Sequence, residues 1–171
     1  MDVFDFAMKM EQDGKHYYQQ LAEKTSLAGL KTVFTRLAAD EQKHFEIFQQ
    51  LKTSATAPAM QPTTILEEVK NIFEELPQHA QTLKQVDADL AAYQHAMKIE
   101  ADSFRFYEEA SGKEQNPATK SLLLQIAAEE HKHFNILENI FQFANAPNQY
   151  LAWAEFSNLE EFRQFGRNVD E

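Results

Sequence analysis

Apolar residues along this chain fall on four stripes at helical spacing. Phe4, Met8, Glu11, Tyr18 and Leu21 share one face of a first helix. After a break at Thr25–Gly29, a second stripe runs Leu30, Phe34, Leu37, Glu41, His44, Phe48 and Leu51. Its steps alternate between four and three residues, the inward seam of a helix in a bundle. Leu90, Tyr93, Met97, Glu100, Phe104 and Tyr107 form a third stripe. Beyond a break at Gly112–Asn116, Leu123, Ile126, Glu130, His133, Leu137 and Ile140 form the fourth. Asn116-Pro117 predicts a helix start, with a capping side chain followed by proline at the first helical position.

The third and fourth stripes repeat the first and second. When Phe4–Leu51 is laid over Tyr93–Ile140 without gaps, Ala7-Met-Lys-x-Glu11 falls on Ala96-Met-Lys-x-Glu100, and Tyr18 falls on Tyr107. Ala38-Ala-Asp-Glu-x-Lys-His-Phe45 falls on Ala127-Ala-Glu-Glu-x-Lys-His-Phe134. The chain thus predicts one all-α domain over 1–171: a four-helix bundle made of two duplicated helical hairpins, 1–51 and 87–145. The 52–86 segment is too long for a tight turn and predicts a crossover. Within it Thr64-x-x-Glu67 predicts a capping box opening a short helix to about Leu76, which Pro77 stops. In the 146–171 tail, Ser157-x-x-Glu160 predicts one more short helix.

Composition narrows the class further. Four Gly and five Pro are too few for the turns of a β-sandwich or barrel. The absence of Cys excludes disulfides, zinc ribbons, thiolate-held iron–sulfur sites and a thiol nucleophile, so any metal must be held by His and carboxylate. No glycine-rich phosphate cradle is present. A net charge of −11 disfavours nucleic acid and anionic membrane as partners. With neither a secretory signal nor a spanning apolar run, the expected compartment is the cytoplasm.

The stripes carry residues that an ordinary core would not. Glu11, Glu41, His44, Glu100, Glu130 and His133 all lie on otherwise mostly apolar seams, with no Lys or Arg there to neutralise them. A buried unpaired carboxylate costs several kcal/mol, and four together repel one another. Two divalent cations would balance four carboxylates, with neutral imidazoles completing the ligand set. Glu41 with His44, and Glu130 with His133, are three apart and share a helix face. The midpoint of Glu11 and Glu41 is Ser26, inside the first break; that of Glu100 and Glu130 is Gln115, inside the second. In antiparallel hairpins each pair therefore lies at one height. One Glu from each of two helices and a Glu-x-x-His from each of the others is the donor set of di-metal carboxylate bundles.

On these residues the chain resembles the ferritin-like superfamily, and most closely the rubrerythrin family. The resemblance spans about Asp2–Asn145 and rests on Glu11, Asp40-Glu-x-x-His44, Glu100 and Glu129-Glu-x-x-His133. It implies a ferritin-like bundle holding two iron ions, with Glu41 and Glu130 bridging and Glu11 and Glu100 terminal. Zinc and manganese would accept the same donors. It further implies redox chemistry on O2 or H2O2, with electrons from a separate donor protein or from substrate Fe2+, and a homodimer. Rubrerythrins proper usually append a Cys-rich rubredoxin domain, and this sequence has no cysteine. They also carry an extra Glu one turn after the third-helix ligand, where this chain has Ser103. The remaining set is similar to the symmetric centre of bacterioferritin.

Tyr18 and Tyr107 each follow a ligand Glu by two helical turns, and each phenol is expected to lean back toward that Glu. There it would hold the carboxylate or donate to bound peroxide; a core aromatic with a satisfied hydroxyl is the plainer alternative. Asp40 and Glu129 are expected to be solvated surface charges, the alternative being acceptance of a ligand-imidazole N–H. His16, His79, His95 and His131 are expected at the surface. Two further functional classes are a non-catalytic iron or zinc carrier and a helical interaction module with a vestigial site.

Overall fold

A computed structural model describes residues 2–54, 56–75 and 90–145. They form five helices: α1 (Val3–Lys24), α2 (Ala28–Thr53), α3 (Ile65–Glu75), α4 (Leu90–Lys113) and α5 (Pro117–Asn145). No strand occurs among the described residues. The all-α bundle of two hairpins is as the stripes predict, α1 packing on α2 and α4 on α5. The hairpins meet along α1–α4 and α2–α5, and α3 lies across α2 and α5. Pro77, the helix expected at Ser157-x-x-Glu160 and the rest of the 146–171 tail lie outside the described residues.

Both breaks are shorter than their glycines suggest. Helix α2 has already begun at Ala28, with Lys31 N–H bonded to the Leu27 carbonyl at 2.9 Å, so Gly29 is helical. Gly112 is likewise inside α4. Side chains and backbone bonds, rather than glycine, set the ends. Asn116 Oδ1 accepts from the amides of Ala118 (2.9 Å) and Thr119 (3.2 Å), satisfying two donors that the first turn of α5 leaves open. The Thr25 amide bonds back to the Leu21 carbonyl and ends α1. The start of α3 departs from the expected capping box by one residue. Thr64 Oγ1 donates to Glu68 at 2.8 Å rather than pairing with Glu67, because Arg36 at 2.6 Å already draws Glu68 to that corner.

The core is in two parts. One cluster gathers Leu21, Leu30, Phe34, Leu37, Ile136, Leu137 and Ile140 with Ile65 and Val69 of α3. The other gathers Ala7, Ile47, Phe48, Leu51, Leu122, Leu123 and Ile126. Each fully buried side chain of this size stabilises the fold by ~1.5–3 kcal/mol, so these clusters carry most of the packing. Between them, at mid-bundle, every helix of the two hairpins contributes buried polar residues.

Candidate metal centre

All six residues picked out by their place on the seams converge here. Glu11, Glu41, His44, Glu100, Glu130 and His133 are each at most 3% exposed. Their donor atoms form two overlapping groups, Glu11–Glu41–His44–Glu130 and Glu41–Glu100–Glu130–His133. Within each group the four atoms lie within 4.8 Å of one another. Glu41 and Glu130 belong to both groups, and Glu11 and Glu100 to one each.

The donors face one another with little to satisfy them. Glu41 Oε1, His44 Nδ1, Glu100 Oε2, Glu130 Oε1 and His133 Nδ1 are buried without a hydrogen-bond partner. His44 Nδ1 stands 2.9 Å from Glu130 Oε1, and His133 Nδ1 stands 3.1 Å from Glu41 Oε1, in neither case with hydrogen-bond geometry. Buried polar atoms are normally paired, so an unpaired convergent set fits a cation that they would share. Oxygen and imidazole donors suit iron, zinc or manganese.

Electrostatics point the same way. Burial, and then the charge of Glu41, raises Glu11 to about 8. Burial and the charges of Glu41, Glu11 and Glu100 push Glu130 well above the usual carboxylate range. Burial would also raise Glu41, but its contacts with Glu11, His133 and His44 outweigh this and hold it low. Burial alone would lower both imidazoles. The acids around His44 (Glu11, Glu129, Glu130) and around His133 (Glu100, Asp40, Glu41) reverse this and hold both well above 6.5. Without metal, protons neutralise the cluster.

The partners around the six are crossed between the hairpins. Tyr18 donates its hydroxyl to Glu100, and Tyr107 donates to Glu11. The expectation that each phenol serves the Glu of its own helix is therefore corrected. Leaning toward the N-terminus brings the ring level with the site, but the phenol is long enough to span to the facing helix. Burial and the nearby carboxylates push both phenols well above 10.

Asp40 and Glu129 are corrected too, for Glu129 is buried and Asp40 is half-buried, each facing an imidazole. Asp40 Oδ2 lies 3.2 Å from His133 Nε2, and Glu129 Oε2 lies 3.0 Å from His44 Nε2. Burial opposes their charge, but the imidazole partners outweigh it and both acids stay ionised. A carboxylate only accepts, so each Nε2 keeps its proton, and Nδ1, which faces the centre, is the nitrogen that would give up its proton to ligate a metal. The signal was an acidic residue just before the seam Glu in both copies. Lys43, which also touches these acids, lies in the same repeated motif; Thr63, which touches them too, carried no such signal.

Gly14 and Ser103, the matched positions one turn after Glu11 and Glu100, are both buried. A Cβ at Gly14 would stand 3.6 Å from the Glu41 carboxylate, so these small residues lie close beside the donors without adding one. His16 and His95 are exposed as expected, whereas His131 is half-buried with its ring 5.9 Å from Phe104. The outward turn of α5 at His131 lies partly against Phe104 of α4. His79 lies outside the described residues.

A helical bundle with this duplicated donor set defines a ferritin-like protein. The family model described as Rubrerythrin matches residues 2–141, and the chain belongs to the rubrerythrin family. No curated protein and no solved structure matches it. Among the described residues, no helix is long and apolar enough to cross a membrane.

Proposed function

We propose that this chain is a non-haem di-iron oxidoreductase that reduces O2 or H2O2, with Glu11, Glu41, His44, Glu100, Glu130 and His133 as its ligands. The observation that carries this reading is the pair of overlapping buried donor groups joined by Glu41 and Glu130. The four carboxylates balance two divalent ions, and the two groups divide the donors evenly. Iron held there would bind and polarise the oxidant and supply two electrons.

The protein's own groups do the rest. Glu41 and Glu130, common to both groups, would each be shared by the two ions. Tyr18 and Tyr107 fix the terminal carboxylates and keep a proton at each phenol oxygen. Asp40 and Glu129 keep the imidazoles in the tautomer that ligates. The apolar clusters above and below exclude water. Electrons would come from a separate donor protein, which is peroxidase-like behaviour, or from substrate Fe2+, which is ferroxidase-like. The neutral Ser103 and Gly14 favour the second, since neither offers a carboxylate for a redox-driven ligand exchange.

Anaerobic loading with Fe2+, followed by rapid mixing with O2 and with H2O2, tests the proposal. Oxidation of two irons per chain, repeated after re-reduction, is expected. Stoichiometric uptake of Fe2+ or Zn2+ with no turnover on either oxidant would instead make the protein a metal carrier.

A further inference from the structure

In the crossover between α2 and α3, Thr63 touches both acids that hold the imidazoles. The Thr63 amide donates to Glu129 Oε1 at 2.6 Å. The Thr63 hydroxyl donates to Asp40 Oδ2, the oxygen that also faces His133 Nε2. The same hydroxyl oxygen accepts from the Ile65 amide at 3.3 Å, which leaves its single proton for Asp40. Lys43 closes the arrangement. Its Nζ stands 2.9 Å from Glu129 Oε2 and 3.4 Å from Asp40 Oδ1, and donates to the Gln61 carbonyl at 3.4 Å.

The two contacts of Thr63 differ in kind and in destination. The backbone contact leads through Glu129 to His44, which lies in the group with Glu11. The hydroxyl contact leads through Asp40 to His133, which lies in the group with Glu100. We infer that Thr63 is a positioning residue for both ligand imidazoles, its amide orienting His44 and its hydroxyl orienting His133. The inference rests on the six-residue centre being a metal site. It makes the crossover a structural part of that centre, because outer partners fix the ring orientation and tautomer of a ligating His.

Thr63→Val is close in shape, removes the hydroxyl and keeps the amide. It therefore loosens Asp40 and His133 while leaving Glu129 and His44 held. Co2+ alone is the probe, added to the metal-free full chain and followed by visible absorption and equilibrium dialysis. In T63V one of the two Co2+ ions is expected to weaken by roughly tenfold, the low end of the range for outer-shell partners. The other is expected to keep its affinity, so the two binding steps separate. Thr63→Ser, which restores the hydroxyl, is expected to return both to the wild-type values. A merely structural role would weaken both steps together and would not be rescued by Ser.

Wild-type constants and spectrum in T63V, equal loss at both steps, or failure of T63S to restore binding would each overturn the inference. Should T63V not fold by circular dichroism, Thr63→Ala removes the same hydroxyl and must give the same separation. Fewer than two Co2+ per wild-type chain would instead overturn the metal-centre reading, a result distinguishable from loss of the Thr63 role alone.

Discussion

At the scale of single residues, the carboxylates of the centre are not equivalent, and their places in the two donor groups rank them. Glu41→Ala or Glu130→Ala removes a donor from both groups, whereas Glu11→Ala or Glu100→Ala removes one from a single group. Dialysis against Zn2+ is expected to show loss of both ions in the first pair of variants and of one in the second. Far-ultraviolet circular dichroism is expected to stay helical throughout, since the apolar clusters supply the packing. Proton inventory gives a second expectation. Glu11 at about 8, the raised Glu130 and the two raised imidazoles hold protons at neutral pH. A group whose folded pKa is raised stabilises the fold below its unfolded pKa and loses that contribution as pH rises through the folded value. Thermal melts of metal-free protein should therefore fall from about pH 5 to above pH 8, a window set by the unfolded carboxyl value of roughly 4.3 and the raised values here. Loading with Zn2+ should release about four protons per two ions, since ligation needs bare donors; a pH-independent apo melt would contradict both statements. All six donors were legible in the sequence because a helical period fixes which face a residue takes. Which neighbour it meets on that face was not, and so the crossed tyrosines, the half-buried Asp40 and the buried Glu129 escaped it.

At the scale of elements, the four long helices follow directly from their stripes, and the hairpin ends follow from caps. Asn116 carries the start of α5 by accepting two amides. Asn116→Ala is expected to cost ~1 kcal/mol, the usual price of a lost cap, and to lower Tm by ~2–4 °C in a chain of this size. Calorimetry on metal-loaded protein checks this, and an unchanged Tm would mean that the backbone alone sets the turn. Glycine misled the prediction of both breaks, because Gly29 and Gly112 sit in first or last turns, where helix costs them little. The crossover was predictable as a crossover but not in its path. Nothing in a capping pattern says that Thr63 will stand over Asp40 and Glu129, since that depends on how α3 lies against α2 and α5 through Ile65 and Val69.

At the scale of the whole molecule, two apolar clusters are separated by a belt of buried ionisable groups. Metal bound there would tie the four helices of the two hairpins together across that belt. Ligand bound at a hundred to a thousand times its Kd stabilises by ~2.7–4.1 kcal/mol per site. Zn2+ loading is therefore expected to raise Tm by several degrees, and a chelator to reverse it, as read by scanning calorimetry. The crossed contacts have a consequence for how the two halves relate. Tyr18 meets Glu100, the counterpart of Glu11, and His44 meets Glu129, the counterpart of Asp40. Tyr107 and His133 make the mirror pair with Glu11 and Asp40. A lone hairpin associating with its own twin about a twofold axis would make the same four contacts, and a synthetic peptide of residues 2–53 is expected to dimerise in the presence of Co2+. The polypeptide in this sense has the internal twofold arrangement of a dimer of one hairpin. Its two halves differ at most of their matched positions and agree where their buried donors meet.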